Sequence, residues 1–198
     1  MLRILFIGLA GLAAIIAVFV VVVMTRPDDF KVSRSATIAA PAATIYPHVN
    51  DLHQFQVWSP FAKLDPNSKL TYSGPESGQG ASFAWTGNAN VGEGSMTCTE
   101  SRPNELLVYR LDFLKPFKGT NTAEFSFKQQ SNQTVVTWSM SGKCNFVSKA
   151  ISLFMDCDKM IGPQFEKGLG DLKQLSEVEA KAQRTIDLSN MPKNPPLL

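Results

Sequence analysis

The sequence predicts an α+β domain in which a bent antiparallel sheet carries one long helix. Three observations predict it. Ile161, Phe165, Leu169, Leu172 and Leu175 recur at spacings of four, four, three and three, which is a single apolar stripe on a helix. Upstream, from Phe30 to Gly142, short segments of alternating polarity are separated by turn residues. A helix with one apolar face, arriving after a run of antiparallel strands, needs a sheet to lie on. A curved sheet closed over a single helix tends to enclose a cavity, so the contact between the two is the first place to look for function.

Before this domain, Ile4 to Met24 carry no charged or polar side chain. At about 1.5 Å per residue the run is long enough for a bilayer core of roughly 30 Å. Arg3 and the amino terminus precede it, and Arg26, offset by Asp28 and Asp29, follows. That bias favours a cytoplasmic N-terminus, hence a single-pass anchor in the inner membrane with an extracytoplasmic body. A cleaved signal peptide is the rival reading. The run exceeds the roughly 7–15 apolar residues of such peptides, and Val21-Val-Val-Met-Thr25 lacks a small-x-small cleavage pattern. The expected division is an anchor over residues 1–26, one domain over 27–182 and a disordered, proline-bearing tail over 183–198.

The strands follow in order. Phe30–Ala39 alternates, with Val32, Arg34, Ala36 and Ile38 sharing a side. Pro41 to Trp58 reads as one or two short helices, kinked or split by Pro47. Leu70–Ser73, Ala81–Thr86, Val91–Ser101, Leu106–Phe113, Thr120–Gln129 and Thr134–Gly142 are the remaining strands. Breaker-rich turns such as Gly74–Gly80 and Lys115–Gly119 join them. Phe146–Asp156 is read as helical, and the long helix is expected from near Gly162-Pro163 to about Ala182.

Period-two sorting puts Phe83 and Trp85 on one face, with Met96 and Cys98, then Leu107, Tyr109, Leu111 and Phe113, then Phe125 and Phe127, then Val136, Trp138 and Met140. Of these, Phe83, Trp85, Met96, Tyr109, Leu111, Phe113, Phe125, Phe127, Trp138 and Met140, with Arg34 of the first strand and Phe165, Leu169 and Leu172 of the helix, are the candidate lining of a ligand cavity. Gly168 and Gly170 each weaken the helix by about 1 kcal/mol against Ala. They thin its face, and leftover space beneath them is favoured over unusually close packing.

Chemistry is scarcer. Net charge is +2 with no basic run, which argues against nucleic acid. His48 and His53, the only histidines, are spaced i, i+5, and no acidic or cysteine cluster stands at metal spacing. There is no Gly-x-Ser-x-Gly elbow, phosphate loop or dinucleotide fingerprint, so neither metal nor cofactor is implied. Three cysteines leave an odd thiol. Cys144 and Cys157 could pair in an oxidising compartment, or all three could be small buried hydrophobes. Arg34 and Tyr109 are the polar groups that could orient a carboxylate or enolate, with Tyr109 as proton donor. Against that, Arg34 can extend its head to the rim and Tyr109 can bond backbone. Asp156 and Asp158 read as capping or solvated acids.

An ordered set of short motifs adds a resemblance. Val32–Ile38 with Ala40-Pro41, Trp58-Ser-Pro60, Tyr72-Ser-Gly74, Gly78-Gln-Gly-Ala81, Trp85-Thr-Gly87, Gly92-Glu-Gly94, Thr134–Trp138 and Phe165-Glu-Lys-Gly-Leu169 resemble bacterial proteins of the polyketide cyclase/dehydrase group of the START-like (SRPBCC) superfamily. The resemblance covers about Phe30 to Glu177. It implies a helix-grip fold of about seven strands around a long C-terminal helix, with two short helices after the first strand. It also implies an apolar cavity for lipids, polyketides or aromatic compounds, and it brings no shared catalytic set. The function expected is a membrane-anchored binding module for a hydrophobic small molecule or lipid. The alternative is a cyclase- or hydratase-like enzyme using the same cavity.

Overall fold

A computed structural model describes residues 2–190. Helix α1 spans Leu2–Met24, and strand β1 (Asp29–Ile38) follows directly. Two short helices, α2 (Ala42–Asn50) and α3 (Leu52–Trp58), precede strands β2 (Lys69–Ser73), β3 (Ser82–Thr86), β4 (Glu93–Arg102), β5 (Leu106–Lys115), β6 (Gly119–Gln130) and β7 (Gln133–Lys143). Helix α4 (Phe146–Ile151) and the long α5 (Cys157–Asn190) complete the described chain. The seven strands form one antiparallel sheet in the order β1-β7-β6-β5-β4-β3-β2. The expected helix-grip architecture is present.

Register confirms the face assignment. Phe83 pairs with Met96, Met96 with Leu111, Leu107 with Phe125, Phe125 with Trp138, and Trp138 with Arg34. Cross-strand neighbours share a face, so these side chains form one apolar surface. The register of β4 against β5 shifts at Glu93/Gly94 and again at Cys98/Glu100. Extra residues of this kind bend a strand and increase its twist, which curves the sheet toward the helices.

Several boundaries differ from expectation for local reasons. Pro47 sits inside α2 and does not divide it. The break falls at Asp51, whose carboxylate accepts from the backbone of His53 and Gln54 and caps α3. The helix after β7 is only Phe146–Ile151; Asn145 caps it by accepting from Ser148 N. Helix α5 starts at Cys157, ahead of Gly162-Pro163, because Asp156 accepts from Asp158 N and Lys159 N. It also runs past Ala182 to Asn190. Lys181–Asn190 contain no Gly or Pro, and Arg184 and Gln183 add side-chain bonds to Ala180 O and Asp187. The expected disordered tail is therefore helical over residues 183–190. Residues 191–198 lie outside the described residues.

Candidate functional site

The concave face divides into two regions with different packing. Helix α5 lies mainly over the β1/β7 edge of the sheet and touches α2 and α3. There the core is full. Trp138 stacks on Phe165 with ring centroids 4.0 Å apart and planes 12° from parallel, and on Phe125 at 4.8 Å and 27°. Phe55, Trp58 and Phe61 meet the same indole edge-on at 6.3, 5.6 and 6.1 Å. Offset stacks and edge contacts of this kind add to the apolar burial. Leu169, Leu172, Phe127 and Met140 are buried around them.

Gly168 settles the question of leftover space. A Cβ there would stand 2.8 Å from Trp138 Cζ3 and 2.9 Å from Pro60 Cδ. The missing side chain lets the indole and the proline ring reach the helix backbone, so the contact is close packing with no room beneath it. Gly170 points into open space on the other side of the helix. Two shallow surface depressions also lie elsewhere. One, of about 170 Å³, is bounded by His53, Tyr72 and Pro75; the other, of about 350 Å³, by Gln129, Arg184 and Asp187.

The second region is the concave face of β3, β4 and β5, beyond the cover of α5. Trp85 lies across Gly94, where a Cβ would meet its Cζ2 at 2.5 Å. Its ring stands 5.9 Å from Phe83 and 5.8 Å from Phe113. Trp85 Nε1 donates to Val91 O at 3.0 Å, which fixes the ring on the sheet. Phe83 and Met96 are buried, while Trp85, Leu111 and Phe113 are only half buried. The large rings expected to face one helix are thus shared between a packed set under α5 and a partly open set beside it.

The polar candidates are engaged with protein groups. The Arg34 guanidinium holds Asp158 through Nη1 and Nη2, both at 2.8 Å, and Glu166 through Nε at 2.7 Å. Gly162 makes this possible, because a Cβ there would fall 2.1 Å from Nη2. Arg34 thereby clamps edge strand β1 to the start of α5, and its proximity lowers the Asp158 pKa. Tyr109 is fully buried and donates to Val49 O at 2.7 Å. Burial raises its pKa well above the tyrosine range. Two strands, β6 and β7, separate Tyr109 from Arg34, so the fold does not bring the pair together.

His48 Nε2 meets Glu179 at 2.6 Å, and His53 stacks on Tyr72 with centroids 3.8 Å apart. Among the described residues no three His, Cys, Asp or Glu side chains gather as a metal site. The three thiols are free; Cys98 is buried and Cys144 and Cys157 are half buried. Sequence reasoning missed Phe55 and Pro60 as part of the core, Phe61 as an exposed ring at its edge, and Gly162, Asp158 and Glu166 as the seat of Arg34. Only the spacing of Asp158 and Glu166 on one helix, four residues either side of Gly162, hinted at the latter.

A bent sheet, a gripping helix and an apolar concave face define a hydrophobic ligand-binding or polyketide cyclase-like module. The chain belongs to the polyketide cyclase/dehydrase and lipid transport family, whose model matches residues 29–177. Its fold is similar to that of protein CV1439 from Chromobacterium violaceum, at 14% identity over 77% of this chain and 99% of that one, with a TM-score of 0.54. The Zhui aromatase/cyclase from Streptomyces sp. R1128 is similar at 15% identity, over 75% and 94%, with a TM-score of 0.52. Ara h 8.0201 is similar at 9% identity, over 78% and 99%, with a TM-score of 0.50. No curated protein matches the sequence.

Proposed function

We propose that this chain is a membrane-tethered binding module that holds a hydrophobic small molecule or lipid against the β3–β5 concave face. The half-buried group of Trp85, Leu111 and Phe113, backed by Phe83 and Met96, carries the reading. Exposed apolar surface of this kind gains about 25 cal/mol per Å² when a ligand covers it. Tyr109 and Cys98 share that face, but both are buried and Tyr109 donates to Val49 O, which favours burial of an apolar ligand over proton transfer. Arg34 and Tyr109, the residues a cyclase-like reaction would need, are both committed to protein partners.

The tether is α1. Phe6–Met24 is apolar and long enough to cross a bilayer, and nearly all of it stands exposed outside the body. We read it as an anchor in the inner membrane with the body on the outer side, where a carrier meets lipophilic molecules at their highest local concentration.

The test is extraction of small molecules from the purified full chain, identified by mass spectrometry, beside the Leu111→Asp variant. A compound retained by the natural chain and lost from the folded variant supports the reading. Equal retention by both places the ligand elsewhere, and no retained compound together with no uptake of a fluorescent fatty acid contradicts it.

A further inference from the structure

The register of the sheet brings five chain segments to one end: the entry of β1 at Asp29, the exit of β7 at Lys143, the β5–β6 turn, the β3–β4 turn and the loop into α5. That end gathers more exposed apolar side chains than the other. Phe117 at the tip of the β5–β6 turn is 63% exposed, and Leu114 beside it is also exposed. Phe146 and Val147 on α4 are exposed, as are Met155 and Phe154, the latter at 82%. At the opposite end the turns Gly74–Gly80, Arg102–Glu105 and Ser131–Gln133 expose no large apolar side chain, and the exposed Ile186 and Leu188 sit on the last turns of α5. Scattered surface hydrophobes need no explanation, but their concentration at one end does.

The place where α1 enters explains it. Only the last turn of α1 meets the body: Val23 is buried and α1 packs on α4. Cys144 N donates to Asp28 O, and Lys149 pairs with the Asp28 carboxylate, which ties α4 to the α1–β1 junction. The exposed residues therefore lie beside the point where α1 leaves the bilayer. Lys115 and Lys118 flank Phe117, and long cationic side chains around an aromatic ring suit the headgroup boundary. Trp85 and Phe113, near this same end, would open toward lipid.

We infer that the end bearing Leu114, Phe117, Phe146, Val147, Phe154 and Met155 seats in the headgroup–acyl boundary of the bilayer that takes up α1. The inference rests on the anchor reading of α1. It gives the concave face a direct exchange route with the membrane, without passage of an apolar ligand through water.

The full chain, reconstituted in phosphatidylcholine vesicles carrying a phospholipid with a diazirine near the top of one acyl chain, tests it by photolabelling and peptide mapping. The expected result is label in α1, and label in the 114–118 and 146–155 segments several-fold above the 131–133 hairpin. Phe117→Asp with Phe154→Asp should lose the body label while α1 keeps its own. Label in α1 with both body segments no higher than the hairpin would overturn the inference and leave the anchor standing. An unlabelled α1 would overturn both.

Discussion

Trp138 lies flat on Phe165 across the helix–sheet contact, and Gly168, one turn further along α5, is the position that lets it do so. Replacing that glycine with alanine improves helix propensity by about 1 kcal/mol. The added Cβ meets an indole and a proline ring that cannot both retreat, and overpacking of this kind costs about 1–3 kcal/mol. Gly168→Ala should therefore lower stability, whereas Gly170→Ala, which meets nothing within 4 Å, should raise it by about 0.5–1 kcal/mol. Denaturant melts of the two variants check the opposite signs.

The Arg34 clamp predicts an acid-sensitive contribution. Asp158 has a folded pKa below its unfolded value because Arg34 bonds and attracts the carboxylate. Stability from a depressed acid is complete above the unfolded value, about 3.9, and is lost as pH falls through the lower folded value. Arg34→Gln should reduce stability at neutral pH and flatten its dependence below about pH 4. The Arg34 side chain is a quarter exposed and Asp158 about half, so solvent keeps the change small. Melts from pH 7 to pH 2 would show it.

Tyr109→Phe separates structure from catalysis. Removing the hydroxyl leaves Val49 O without its buried donor, a loss of about 1–2 kcal/mol. Ligand retention should survive. A variant of unchanged stability that fails to process a candidate substrate would instead give Tyr109 a chemical role.

Cys98 should be inert in the folded protein. Its thiol is buried and pushed up to about 11, so almost no thiolate forms at pH 8. Alkylation followed by mass spectrometry should label Cys98 only at the rate of unfolding, with the half-buried Cys144 and Cys157 modified earlier.

The strands were legible because a sheet wet on one side imposes period two, and Leu107-x-Tyr109-x-Leu111-x-Phe113 records it without interruption. The stripe from Ile161 to Leu175 marked α5 for the same reason. Its ends were not legible, since Pro163 and Gly162 resemble a helix start while the operative cap is the Asp156 side chain. The site was half legible. Alternation says which face a ring is on, but which rings lie under α5 depends on where the helix crosses the sheet. Gly162 and Gly168 fix that crossing through Arg34 and Trp138, partners far away in sequence.

The three tryptophans offer the most direct measurement of the central claim, because each indole N–H reports a different place. Trp85 donates to Val91 O on the open face, Trp58 donates to His48 O in the packed core, and Trp138 Nε1 under α5 finds no acceptor among protein groups. Indole ¹H–¹⁵N spectra of the full chain in nanodiscs, titrated with oleate as an apolar probe, should move the Trp85 signal and leave Trp58 and Trp138 in place. Movement of Trp138 with Trp85 unmoved would put the ligand under the helix and contradict the account, as would three unmoved signals.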